Sequence, residues 1–249
     1  MSENKINLIL VSYLNTIPFI EGFRLHPGHR FNLIYKTPAE GTKMFFNGES
    51  DLALIPIGGL LDKENYEVCT DFCIGCDGTV RTVGVFSKVP TEQLETIYLD
   101  NDSRTSVLLV KVLFEAIGKK DIVWKEGIDN YFLDENPNCG FLAIGDKVFD
   151  YETQFPYFFD LGNIWNKCFG LPFAFAVFVK KPTVDQSVID ELNLILASGI
   201  ENIPMLTLNQ HNSIKDIKQY FTDNISYHFD EKKKLAMKIF EEKVGNLRL

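Results

Sequence analysis

The chain has 249 residues, is 45% hydrophobic and carries a formal net charge of -9, which supplies a sizeable core for one large domain or two lobes and excludes a disordered or fibrous chain. With no block of Lys or Arg, that acidic balance argues against nucleic acid and anionic membrane surfaces as partners. An anionic small molecule would need a local positive patch.

In chain order, the apolar run Ile6-Asn7-Leu8-Ile9-Leu10 reads as a buried strand. Polar Ser12, Tyr13, Asn15 and Thr16 follow, and Pro18 opens a helix, so the stretch is strand, loop, helix. In open α/β sheets the loop at a strand's carboxyl end is where ligands bind; the plainer reading is that Asn15 or Thr16 caps the helix. Phe31 to Tyr35 is a second strand, Pro38 to Asn47 a helix closed by Gly48, and Asp51 to Ile57 a third strand. This order implies parallel strands. Tyr66 to Cys76 and Thr79 to Ser87 are extended runs that Asp77-Gly78 would join as a two-residue hairpin. Strand and helix alternate again from about residue 90: Thr96 to Asp100, a helix from Ser103 to Ile117, then strands at Ile122 to Trp124 and Phe141 to Ile144. Phe173 to Val179 is an apolar strand returning the chain to the first lobe, and the rest is helical in pattern, with breaks at Gly199, Pro204 and Asp223 to Tyr227. The expected architecture is α/β in two hinged lobes with an interlobe cleft, residues 1–88 plus 178–249 forming one lobe and 89–177 the other.

The longest apolar runs, 52–61 and 173–179, are too short to span a bilayer, and the first residues lack the pattern of a secretory leader. Five cysteines, an odd number, fit a reducing compartment. A cytoplasmic monomer or homodimer is expected.

Asp100-Asn101-Asp102-Ser103-Arg104-Thr105-Ser106 lies between a strand and a helix, where free N–H groups, hydroxyls and the helix dipole suit a carboxylate or phosphate. Arg104, one of five arginines, adds a forked donor. An ordinary helix cap is the competing reading. Gly78 to Thr82, with Arg81 and Thr82, offers a second set of donors or an edge strand, and Gly145-Asp146 closes a strand with Asp146 as a fair cap. Cys69, Cys73 and Cys76 have the spacing of a radical-enzyme iron–sulfur loop, but they fall in an extended apolar segment where cysteine serves as a small hydrophobe. His26 and His29 are flanked by arginines that would repel a cation, and His211 and His228 fall in the helical remainder. No metal or cofactor site is expected, and chemistry in the cleft would run without a histidine base.

Ser12-Tyr13-Leu14-Asn15-Thr16-Ile17-Pro18-Phe19, Asp51-Leu52-Ala53-Leu54-Ile55-Pro56, Leu99-Asp100 with Ser103-Arg104-Thr105-Ser106, Ile144-Gly145-Asp146, and Asp160-Leu161-Gly162 with Trp165 and Gly170-Leu171-Pro172-Phe173 form a set of segments that together resemble the chorismate dehydratases of the futalosine route to menaquinone. The segments run in family order over about residues 6 to 180. The resemblance implies a periplasmic-binding-protein-like (type 2) fold and a cofactor-free lyase acting on chorismate. It implies that Asn15, the catalytic candidate, and Tyr13 face the ring, and that Arg81, Thr82, Ser103, Arg104, Thr105 and Ser106 hold the carboxylates, with Gly145 and Asp146 lining the site. Where this chain has Thr82 the family more often has serine. A solute-binding module and the related dihydroxynaphthoate synthase share the fold and stand as alternatives.

Overall fold

Six residues open the first sheet as β1 (Ile6–Val11), whose last four are buried. The computed structural model describes residues 5–100, 103–208 and 216–247. The 3-10 turn Leu14–Thr16 leads into α1 (Ile17–Leu25), which has proline in its first turn. β2 (Phe31–Lys36) follows, then α2 (Pro38–Phe46), β3 (Leu52–Pro56) and the long β4 (Glu67–Cys76). The start of α2 is a capping box: Thr37 Oγ1 accepts the Glu40 N–H, and the Glu40 carboxylate accepts the Thr37 N–H. Because helices connect β1, β2 and β3, these strands pair in parallel, as the crossover rule requires.

The chain then builds a second sheet. Its elements are β5 (Val83–Ser87), β6 (Thr96–Leu99), α3 (Arg104–Ala116), β7 (Val123–Glu126), β8 (Cys139–Ile144), α4 (Val148–Tyr151), β9 (Tyr157–Asp160) and α5 (Leu161–Phe169). β10 (Phe173–Lys180) returns to the first sheet, followed by α6 (Gln186–Glu201), α7 (Ile203–Leu208), α8 (Ile217–Gln219), β11 (Ser226–His228) and finally α9 (Glu231–Gly245). Among the described residues the strands run β11-β4-β10-β3-β1-β2 in one sheet and β7-β6-β8-β5-β9 in the other. In the second sheet β6 is parallel to β7 and β8, whereas β5 is antiparallel to β8 and β9. The carboxyl ends of β6, β8 and β9 therefore meet the amino end of β5 at one edge of that sheet.

Two compact units result: Met1–Gly75 with Ala174–Asp230, and Cys76–Phe173 with Glu231–Leu249. These bounds differ from the lobes read off the sequence, because the chain changes unit inside β4 and at the start of β10, and because α9 packs with the second unit. There, Phe240 of α9 sits edge-on to Phe173 with ring centroids 5.4 Å apart and faces Trp165 of α5. The hairpin at Asp77-Gly78 is not formed, since β4 pairs with β11 and β10 while β5 pairs with β8 and β9. Gly199 is no break either. It lies inside α6, where a Cβ would stand 2.0 Å from the Pro18 carbonyl oxygen, so the missing side chain lets α6 cross α1 at backbone contact.

Candidate functional site

In the first unit the loop after β1 is held from beneath. Thr16 Oγ1 stands 2.7 Å from both the Val11 and Tyr13 carbonyl oxygens, sharing its one proton between them. The hydroxyl therefore folds the loop back on its strand rather than capping α1, whose start has no side-chain cap. The buried Tyr227 phenol of β11 donates to the Asn15 carbonyl at 3.1 Å, and burial pushes that phenol well above its usual range, so it stays a donor. Among the described residues, the half-buried Asn15 side-chain amide makes no hydrogen bond. Ser12 is exposed and Tyr13 half-buried.

In the second unit, segments from four parts of the chain converge at the strand edge defined above. Ser103 caps α3: its Oγ accepts the Ser106 N–H at 3.3 Å and lies 3.1 Å from Ser106 Oγ. Thr105 and Ser106 are buried, while Arg104 is exposed at the first helical position. The helix cap is thus formed, and the positive end of the dipole of this 13-residue helix lies at Ser103 and Arg104. Asn101 and Asp102 lie outside the described residues, as does His211. Asp100, buried at the end of β6, pairs with Lys147, just before α4.

Arg81 has a left-handed backbone, φ 66°. Its guanidinium forks onto Glu152, Nε to Oε1 at 2.7 Å and Nη2 to Oε2 at 3.0 Å, and lies over the Phe149 ring. Its backbone N–H donates to Asp160 Oδ2 at 2.7 Å. The carbonyl of buried Thr82 accepts the Gly145 N–H at 2.9 Å, which brings those two candidate segments into contact; Gly145 itself has φ 68°. Asp146 does not cap: neither the turn Gly145–Lys147 nor α4 has a side-chain cap.

The cysteines of β4 behave as packed hydrophobes. Cys69 Sγ points at the Phe178 carbonyl and Cys73 Sγ at those of Ser226 and His228. Burial pushes the Cys69 thiol up to about 12 and Cys76 higher still, leaving neither a ready thiolate. Among the described residues no group of three or more His, Cys, Asp or Glu could hold a metal ion, and no helix is long and apolar enough to cross a membrane.

Sequence reasoning did not single out Tyr227, Lys147 or Glu152, whose partners lie far away along the chain. Asp160 was visible only as part of a family motif.

Two α/β units with their polar loops at strand ends define a protein of the periplasmic-binding-protein fold. The fold is similar to that of the Candida albicans CA3427 gene product, described as exhibiting the generic periplasmic binding protein structural fold (TM-score 0.69, 14% identity, 98% of this chain and 91% of that one). It is similar also to protein AF1704 from Archaeoglobus fulgidus (TM-score 0.72, 16% identity, 98% of each chain). Residues 6–246 match the VitK2_biosynth family, described as menaquinone biosynthesis, and the chain belongs to that family. It is 24% identical to the chorismate dehydratase of Thermus thermophilus over 95% of this chain and 94% of that protein.

Proposed function

We propose that this protein is a chorismate dehydratase, a hydro-lyase that converts chorismate to 3-[(1-carboxyvinyl)oxy]benzoate and water on the futalosine route to menaquinone. The observation that carries the reading is the near full-length similarity to the Thermus thermophilus enzyme. The ring C3 hydrogen leaves as a proton and the C4 hydroxyl as hydroxide, together the one water lost, and the ring becomes aromatic. With aromatisation as the driving force, the protein's task is orientation and charge stabilisation. Arg104, the hydroxyls of Ser103, Thr105 and Ser106 and the start of α3 hold the ring carboxylate and stabilise negative charge delocalised into it as C3 loses its proton. Arg81 and Thr82 serve the substrate's carboxylates, and Gly145 and Asp146 border them. Tyr13 packs against the ring, and the Asn15 amide hydrogen-bonds and orients it, since an amide is no base.

The test is incubation of purified protein with chorismate, followed by absorbance and mass. An aromatic product lighter than chorismate by one water supports the reading. Chorismate bound but released unchanged would make the chain a binding module instead, and chorismate neither bound nor changed would remove it as the ligand.

A further inference from the structure

Asp160 ends β9 and caps α5, but its carboxylate does more than a cap requires. Oδ1 accepts the Asn163 N–H at 2.9 Å and the Val80 N–H at 3.1 Å, while Oδ2 accepts the Arg81 N–H at 2.7 Å. Capping explains the first bond. The other two reach back about 80 residues to a side-chain-bearing residue held at φ 66°, a sparsely populated conformation that surrounding contacts must sustain. The approach of the two segments is close by construction: a Cβ at Gly162 would meet Cys76 Sγ at 2.5 Å and the Gly78 carbonyl oxygen at 2.6 Å. Desolvation raises the Asp160 carboxyl above its ordinary range, and the N–H groups of Asn163, Arg81, Val80 and Gly162 draw it back down. Glu152 fixes the Arg81 guanidinium, and Asp160 fixes the backbone that carries it.

We propose that Asp160 is a positioning residue of the substrate site, its carboxylate holding Val80-Arg81-Thr82 in the conformation that serves the substrate's carboxylate. The assignment of that substrate rests on the chorismate reading above; the holding role does not.

Asp160→Asn separates the two jobs. With its oxygen in the Oδ1 place, the amide keeps the bonds from Val80 and Asn163 and turns its NH2 toward the Arg81 N–H; the flipped orientation would lose two bonds to save one. Helix α5 therefore stays capped while the grip on Arg81 is lost. Amide exchange at Arg81 should quicken by about tenfold or more, as loss of a hydrogen bond to a charged group requires. Exchange along β5 should stay as in the wild type. The KM for chorismate should rise by about tenfold with kcat within about twofold, because a binding contact is displaced while the reacting centre is untouched. Thr37→Ala, which uncaps α2 in the other unit, serves as the purely structural control: lower thermal stability with unchanged KM. Unchanged exchange at Arg81, or unchanged KM with an active wild type, would overturn the proposal. An inactive wild type would instead remove the chorismate reading, and the exchange measurement alone would then decide whether Asp160 holds the segment.

Discussion

At the residue scale, Asn15 is fixed through its backbone and unengaged through its side chain. The Tyr227 phenol binds its carbonyl, and the amide has no hydrogen-bond partner among the described residues. A partly exposed amide left in this way is open to water or to a ligand. If it orients chorismate, Asn15→Asp puts a negative charge beside a dianion and removes two donors, so both affinity and turnover should fall, whereas Asn15→Ala should harm binding less. Binding and single-turnover rates decide it: an Asp variant that binds like the wild type and reacts faster would make the position a proton acceptor. Arg104 calls for a different measurement. It is exposed, so Arg104→Ala should leave thermal stability nearly unchanged while weakening chorismate binding by about 1.5 to 3 kcal/mol, the range for a hydrogen bond to a charged group. Equal affinity in that variant would return the loop to a capping role alone. Both residues stood out as candidates in the sequence because each sits in a polar loop between an apolar strand and a helix start. Glu152 and Tyr227 were not, because their partners Arg81 and Asn15 lie 71 and 212 residues away and no local pattern encodes such a pair.

At the element scale, the helices of the first unit depend on a crossing of two glycines. A Cβ at Gly22 would lie 2.1 Å from the Ile195 carbonyl oxygen, and one at Gly199 would lie 2.0 Å from that of Pro18 and 2.6 Å from the Gly22 nitrogen. Alanine is the better helix former by roughly 1 kcal/mol. Overlap with backbone, which cannot rotate aside, outweighs that gain, so Gly199→Ala should destabilise by about 2 to 3 kcal/mol. A shift of the urea midpoint at constant m reads this out, and a variant as stable as the wild type would mean that the two helices are not in backbone contact. The strand–helix–strand order of residues 6–56 and the helix after β6 were readable from periodicity and caps. Gly199 was misread because a glycine that breaks a helix and one that lets two helices touch look the same along the chain. β9 and β11 were missed because they are short edge strands of four and three residues.

At the scale of the whole molecule, buried groups that ionise in alkali set the upper pH limit of stability. The Cys69 thiol moves from an ordinary 9.0 up to about 12 in the folded protein, through desolvation first. Between those values the unfolded chain has released its proton and the folded chain has kept it, so the folded state binds more protons and stability falls as pH rises. Cys76 and Tyr227 shift in the same direction. Urea midpoints at pH 8 and pH 10.5 should therefore differ strongly in the wild type and less in Cys69→Ala, whereas equal losses in both would show Cys69 to be solvated. The alternation of strands and helices made the fold class legible, but the division into units was not: it depends on which sheet accepts β5 and on which core receives α9, and both are decided by long-range packing.

The placement of α9 bears on how the molecule is made. The second unit begins at Cys76 and lays down β5 through α5, yet Trp165 and Phe173 wait for Phe240, which the ribosome adds only after the whole return segment Ala174–Asp230 has been synthesised. The second unit's aromatic cluster therefore closes only with an element that follows the first unit's last strand in the chain, so its completion depends on contacts of long sequence separation.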